Sequence, residues 1–186
     1  MFVDETLYSG RPAEPRQPVE DKCYELLDEL NVEYHRVDHE HAPSIEACHA
    51  VEKALGALIC KNLLLTNRQQ TDVYLLMMPG EKPFKTKLLA KQIGSTRLSF
   101  ATEEQMLKLL GVTPGSVSVL ALMNDAEKQV KLVMDEDLLK DEYIGVHPCM
   151  NSSTLRLRTK DVVDIIIPAT GHSITTVELP WVIEEE

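Results

Sequence analysis

Along the first third of the chain, apolar residues recur at helical spacing. From Val19 to Leu30 the positions Val19, Cys23, Leu26, Leu27 and Leu30 share one face, which predicts an amphipathic helix. Val32 to Val37 predicts a short strand. Ser44, a good N-cap, predicts a second helix over 45–55 with Ile45, Cys48, Val51 and Leu55 inward. After Gly56 the period changes. Residues 58–66 are apolar on both alternating faces, and a polar turn from Thr66 to Gln70 leads to a partner strand over 72–78. Two neighbouring strands apolar on both sides imply a sheet covered on both faces or curled into a barrel.

Beyond Pro79-Gly80 the pattern predicts a short helix over 86–92 with Leu88 and Leu89 inward, then a strand from Arg97 to Ala101. Thr102 with Gln105 three residues on predicts a capping box, and the helix it opens stops at Gly111. The apolar runs 116–123 and 130–134 read as a second hairpin-like pair, and 143–151 reads as a loop. Ser153 to Arg158 is a strand with Leu155 and Leu157 in. Thr159 caps a last helix to about Ile166, and 172–179 is the closing strand. The expectation is a single α+β domain: a mixed, mostly antiparallel sheet curled toward a barrel, with flanking helices. Pro12, Pro15 and Pro18 make residues 1–18 an extended N-terminal arm, 19–180 the domain, and 181–186 a disordered acidic tail.

At 186 residues and 44% hydrophobic, the chain has room for a full core. Its net charge of −11 argues against a general nucleic-acid-coating surface. Charge placement refines this. Residues 1–60 hold thirteen Asp and Glu against five Lys and Arg, whereas Lys82, Lys85, Lys87, Lys91 and Arg97 lie in a segment without acids. On charge alone such a run is a solvated helix face or a phosphate-contacting patch. Cys23, Cys48, Cys60 and Cys149 show no C-x-x-C spacing and fit reduced thiols of a cytoplasmic protein. No apolar run approaches the roughly 20 residues of a membrane span. His39, His41 and His49 lack a recognised metal-ligand spacing.

Common catalytic signatures are missing: no glycine-rich dinucleotide fingerprint, P-loop, nucleophile elbow or zinc-protease motif is present. What stands out is Lys61 inside an apolar strand, where an ammonium is costly unless paired. Lys61 shares its strand face with Ile59, Leu63 and Leu65, and Asn62 shares the other with Cys60 and Leu64. An edge-strand lysine is the bland alternative. The turn Gly115-Ser116-Val117-Ser118, together with His147 and Asn151, forms two further polar loops. Spacing alone does not say whether the three converge.

Three stretches, Lys61-Asn62-Leu63-Leu64-Leu65, Pro114-Gly115-Ser116-Val117-Ser118 and Gly145-Val146-His147-Pro148-Cys149-Met150-Asn151, occur in this order with Arg97-Leu98-Ser99-Phe100-Ala101 between. In this the chain resembles the YbaK/ProX family of aminoacyl-tRNA deacylases from about Glu20 to Val177. It is most similar to free-standing prolyl-type members, which look like the editing domain inserted in some prolyl-tRNA synthetases. One departure is Val119, where the family's glycine loop usually has proline; the change restores an N–H and frees φ.

The resemblance implies hydrolysis, in trans, of the ester of a mischarged tRNA, with alanine on proline tRNA as the first candidate. Lys61, Asn62 and His147 are the implied catalytic residues. Gly115, Ser116, Val117, Ser118 and Asn151 are the implied substrate-binding residues, and Lys82, Lys85, Lys87 and Lys91 the implied tRNA-backbone contacts. No metal and no cofactor are demanded, since positioning water and stabilising an oxyanion suffice for an activated ester. The implied partner is the aminoacylated 3′ end of tRNA, with an aminoacyl-tRNA synthetase as a second candidate and neither DNA nor membrane. Two other readings stay open: an inactive tRNA-binding or regulatory paralogue, and a deacylase for cysteinyl, seryl or threonyl esters.

Overall fold

Residues 2–41 and 45–184 are described by the structure, a computed structural model. In chain order the elements are β1 (Tyr8–Ser9), α1 (Pro18–Glu29), β2 (Tyr34–Asp38), α2 (Ile45–Leu55), β3 (Cys60–Thr66), β4 (Val73–Pro79), α3 (Thr86–Ile93), β5 (Ser99–Phe100) and α4 (Glu103–Leu110). They continue with β6 (Val130–Asp135), β7 (Tyr143–Val146), β8 (Ser153–Arg158), a helical segment over 159–169 and β9 (Ile174–Val177). Strands form a four-stranded sheet, β1-β2-β8-β7, and a five-stranded sheet, β5-β3-β4-β6-β9. The first is antiparallel; in the second, β6 runs parallel to both β4 and β9. The chain is thus a single α+β domain, and its two sheets touch through a bridge between Ile59 and Gly145 without closing a barrel.

The main core lies where the sheets face each other. Cys60, Leu64, Leu75, Met77, Leu132 and Met134 from the larger sheet cluster with Ile144, Val146, Leu155 and Leu157 from the smaller, and with Cys23, Tyr24 and Leu27 of α1. The other face of the larger sheet supplies Leu65, Tyr74, Leu76 and Met78 to a second cluster that α3 covers with Leu89. Both faces of β3 are therefore packed, as its doubly apolar pattern requires. Under α2, Val51 and Leu55 pack on Val37.

Most elements fall where the sequence places them, and at α4 the cap explains why. Thr102 and Gln105 exchange both bonds of a capping box at the start of α4, and left-handed Gly111 ends it. The expected cap Ser44 lies outside the described residues. Three expectations fail. Thr159 does not cap the last helix: it is the first helical residue, Arg158 stands at the N-cap, and no side-chain cap bond forms. Residues 119–124 wind into a buried 3-10 helix begun by the Ser118 hydroxyl, which accepts from the Leu120 N–H at 3.2 Å. A wholly apolar run has no period to separate strand from helix, so its supposed partner β6 pairs with β4 and β9 instead. The loop over 143–151 begins as strand β7, paired with β8 from Tyr143–Arg158 to Val146–Leu155.

The N-terminal arm is not merely extended. Val3 bridges to His39, and Tyr8 and Ser9 pair with Arg36 and His35. The Arg16 guanidinium donates to both oxygens of Asp38 at 3.0 and 2.8 Å, and Arg36 and the Ser153 hydroxyl also donate to that carboxylate. Burial alone would raise the Asp38 carboxyl, but these bonds outweigh it and hold it well below the usual carboxylate range. The end of the expected acidic tail, residues 185 and 186, lies outside the described residues.

Backbone approach sets the junction of the sheets. A Cβ on Gly80 would lie 2.5 Å from the Ile59 carbonyl oxygen, and one on Gly145 would lie 3.1 Å from both Ile59 Cα and Leu58 O. The Gly145 N–H donates to the Leu58 carbonyl at 2.8 Å. We expect Gly80→Ala to destabilise the fold by about 1–3 kcal/mol, the usual range for forced overpacking, seen as a lower urea midpoint at unchanged slope. Asp38→Asn should cost about 2 kcal/mol at pH 7, as for hydrogen bonds to a charged group. Because the folded carboxyl is depressed, its stabilisation is complete above the ordinary value of about 3.9 and fades as pH falls below it. Urea titrations should therefore show wild type and Asp38→Asn converging below about pH 4.

Candidate active site

The sharp approach at Ile59 delivers Cys60, Lys61 and Asn62 to a cleft of about 310 Å³. Lys61, Asn62, Gly115, Val117 and His147 all lie on its wall, closed by the apolar side chains of Leu64, Phe100 and Met106. The three polar stretches that sequence could not bring together thus converge. Ser116 and Ser118 are buried behind the loop rather than on this wall, and Ser118 is occupied as the helix cap. Asn151 stands beside the loop, its Nδ2 3.7 Å from where a Cβ on Gly115 would be.

Alternation along β3 sends Lys61 and Asn62 to opposite faces. The half-buried Lys61 ammonium donates to the Lys82 carbonyl at 3.0 Å, and burial lowers its pKa. Asn62 Nδ2 faces the Cys60 carbonyl and sulfur at 3.5 and 3.4 Å. The Cys60 thiol is pushed up to about 12, chiefly by burial, so it is a neutral wall of the cleft rather than a nucleophile.

Lys82 is a correction to the expected backbone contacts. It is fully buried, and its ammonium lies 2.7 Å from both Asp135 and Asp137 with the Trp181 ring 5.0 Å away. Its charge is spent inside the protein, and its carbonyl holds Lys61. Lys85, Lys87 and Lys91, on or at the start of α3, are exposed. Composition could not separate these cases, because the two carboxylates that bury Lys82 come from a distant strand end.

His147 gains its orientation from β8. Its Nδ1 lies 2.9 Å from the Ser153 carbonyl and 3.3 Å from the Thr154 hydroxyl. A carbonyl only accepts, so Nδ1 carries the proton and Nε2 holds the lone pair. Burial lowers the His147 pKa, keeping the ring neutral near pH 7. Thr154 also contacts His39 Nε2 at 2.9 Å, while His39 Nδ1 donates to the Glu40 carbonyl. The sequence reading raised His39 and His49 only as metal ligands; His39 supports His147 through Thr154, and His49 bonds Glu81 at 2.7 Å. Sequence reasoning missed Thr154, Met106 and Phe100 at this site, since their roles depend on which strands face the cleft.

The loop carries left-handed Gly115, φ 83°, followed by Ser116, whose N–H donates to the Thr113 carbonyl. Val119, in place of the family's proline, is fully buried at the first turn of the 3-10 helix. The site thus combines a neutral acceptor imidazole, one partly buried cation and a glycine-relaxed backbone loop around an apolar floor. Such a set can orient a polar ester and stabilise negative charge developing on its carbonyl oxygen.

Residues 39–165 match the aminoacyl-tRNA editing domain family. The chain is 33% identical over 153 residues to the prolyl-tRNA editing protein ProX of Acetoanaerobium sticklandii, covering 82% of this chain and 93% of that one. It is 31% identical over 150 residues to the prolyl-tRNA synthetase associated domain-containing protein 1 of Mus musculus, covering 78% and 88%. A solved structure described as a candidate trans-editing enzyme for prolyl tRNA synthetase superposes with a TM-score of 0.66 at 18% identity, covering 89% of this chain and all of that one, 100%. That last likeness concerns the fold; sequence and family model together establish that the chain belongs to the aminoacyl-tRNA editing domain family.

Proposed function

We propose that the protein is a deacylase acting in trans on mischarged tRNA, with alanyl-tRNA(Pro) as its principal substrate. The observation that carries this reading is the convergence of Lys61, Asn62, Gly115, Val117 and His147 on one small cleft. Homology to the ProX editing protein supports the substrate class. A cleft of about 310 Å³ with Leu64, Phe100 and Met106 on its walls favours a small side chain, and exclusion of this kind is a weak filter of about 1–3 kcal/mol per methylene.

In the proposed reaction, water attacks the ester carbonyl carbon and the tetrahedral intermediate collapses by breaking the acyl C–O bond. The proton lost by water passes to the departing ribose oxygen, yielding the free amino acid and the 3′-hydroxyl. Because the Ser116 N–H is already used by Thr113, the neighbouring N–H groups of Gly115 and Val117 are the donors assigned to the oxyanion. Lys61 serves as a point charge for the terminal phosphate, which requires exchanging its bond to the Lys82 carbonyl for one to the substrate. His147 anchors the terminal adenosine through its Nε2 lone pair. Lys85, Lys87 and Lys91 contact the tRNA backbone.

Assay of alanyl, cysteinyl, seryl and threonyl esters on proline and cognate tRNAs tests the assignment. Alanyl-tRNA(Pro) should turn over fastest, and Lys61→Ala should lose about 10- to 100-fold in kcat/KM, as for one lost charge-assisted hydrogen bond to phosphate, while its melting temperature stays within a few degrees. Turnover of none of the esters by wild type would favour a binding paralogue. Removing Lys85, Lys87 and Lys91 together should weaken tRNA binding and flatten the log affinity against log salt slope by about 2, measured by filter binding.

A further inference from the structure

Two thiols from distant parts of the chain meet in the core. Cys23 on α1 and Cys149 in the loop between β7 and β8 lie with their sulfurs 3.4 Å apart, and both residues are buried, 0% and 1% exposed. Cys149 has φ 60°, in the left-handed region that residues with a side chain seldom adopt. A residue keeps such a conformation only when its surroundings fix it, and both thiols belong to the main core cluster. His147 stands two residues before Cys149 in this loop. The loop is fastened where Val146 pairs with Leu155. A disulfide has an S–S distance of about 2.05 Å, so bonding these sulfurs closes their separation by more than about 1 Å. Cys23 sits inside a 12-residue helix that also packs Tyr24 and Leu27 into the core, so the loop is the part that yields.

We infer that Cys23 and Cys149 form an oxidation site, closing to a disulfide that draws the His147 loop toward α1 and lowers turnover. The effect on turnover rests on the deacylase reading; the disulfide does not. A hydroperoxide is the oxidant. One thiol, as its thiolate, attacks a peroxide oxygen; the O–O bond breaks, water or an alcohol leaves, and a sulfenic acid remains. The second sulfur then attacks the sulfenic sulfur, forming the S–S bond as the S–O bond breaks and water departs. Two thiols thereby lose two hydrogens and two electrons, and the peroxide is reduced. The bond to Cys149 and burial both hold the Cys23 thiol well above its ordinary range, so thiolate is scarce. Oxidant enters only when the loop opens. The site therefore answers sustained oxidation slowly, and answers a small peroxide faster than a bulky disulfide. His147 links the bond to the cleft: a loop shift of about 1 Å takes its 2.9 Å contact with the Ser153 carbonyl out of hydrogen-bonding range.

The test treats wild type with hydrogen peroxide, maps its cysteines by peptide mass spectrometry, and assays alanyl-tRNA(Pro) before oxidation, after it, and after dithiothreitol. Two peptides joined through Cys23 and Cys149, lighter by two hydrogens, should appear. Deacylation should fall at least about fivefold, since misplacing a group by about 1 Å can cost about 100-fold, and dithiothreitol should restore it. Cys48→Ser removes a partly exposed thiol and should leave both cross-link and loss in place, whereas Cys23→Ala should abolish both. The wild-type and Cys48→Ser measurements require no change in the core. Absence of the cross-link, or sulfinic acid in its place, would overturn the inference. So would a cross-link that leaves turnover unchanged, or a loss that vanishes in Cys48→Ser; each leaves the deacylase reading standing. Reduced wild type that hydrolyses no ester would overturn the deacylase reading and the turnover half of the inference, with the peptide map still deciding the disulfide.

Discussion

At Ile59 three stretches of backbone come closer than side chains permit. Gly80 approaches the Ile59 carbonyl, Gly145 approaches its Cα and the preceding carbonyl, and the only bridge between the two sheets forms there among the described residues. Each glycine is needed for space; neither is left-handed. The residues that follow on each side, Cys60 to Asn62 from one sheet and His147 from the other, consequently enter the same cleft. The site is a by-product of the joint: loosening the joint would separate its two halves without touching a catalytic side chain.

Buried charge is arranged so that little of it reaches the cleft. Lys82 is neutralised by Asp135 and Asp137, and its backbone, not its ammonium, meets Lys61. On the smaller sheet, Arg16 and Arg36 converge on Asp38 beside Ser153, whose carbonyl fixes His147. Both clusters lie just behind site residues and hold them from the rear. Breaking such a pair leaves an uncompensated buried charge, which costs far more than the intact pair contributes. These clusters therefore set geometry more than they add stability.

This arrangement suits an ester substrate. The ester is activated already, and a cleft walled by a neutral thiol, a neutral imidazole and amides avoids competing nucleophiles that would form stable adducts. Lys61 is the cation on the cleft wall, and Lys85, Lys87 and Lys91 are exposed at α3. A net charge of −11 opposes attraction for RNA over the surface as a whole, so any such attraction must be local.

Local order was largely legible in the sequence, because it is governed by nearest neighbours. The amphipathic face of α1, the capping box of α4, the doubly apolar β3 and the exceptional position of Lys61 follow from side-chain period and capping chemistry. The apolar run 119–123 was not legible, since an unbroken apolar stretch carries no period that distinguishes helix from strand. Nor was the fate of Lys82, whose carboxylates lie more than fifty residues away and reach it only through the parallel placement of β6 beside β4. Sequence by itself determined which residues are polar where the pattern asks for apolar ones. Tertiary structure decided which of those meet in a cleft and which are spent in buried pairs. Pairing between distant strands is a property of register and approach distance, and neither is written in any local stretch of the chain.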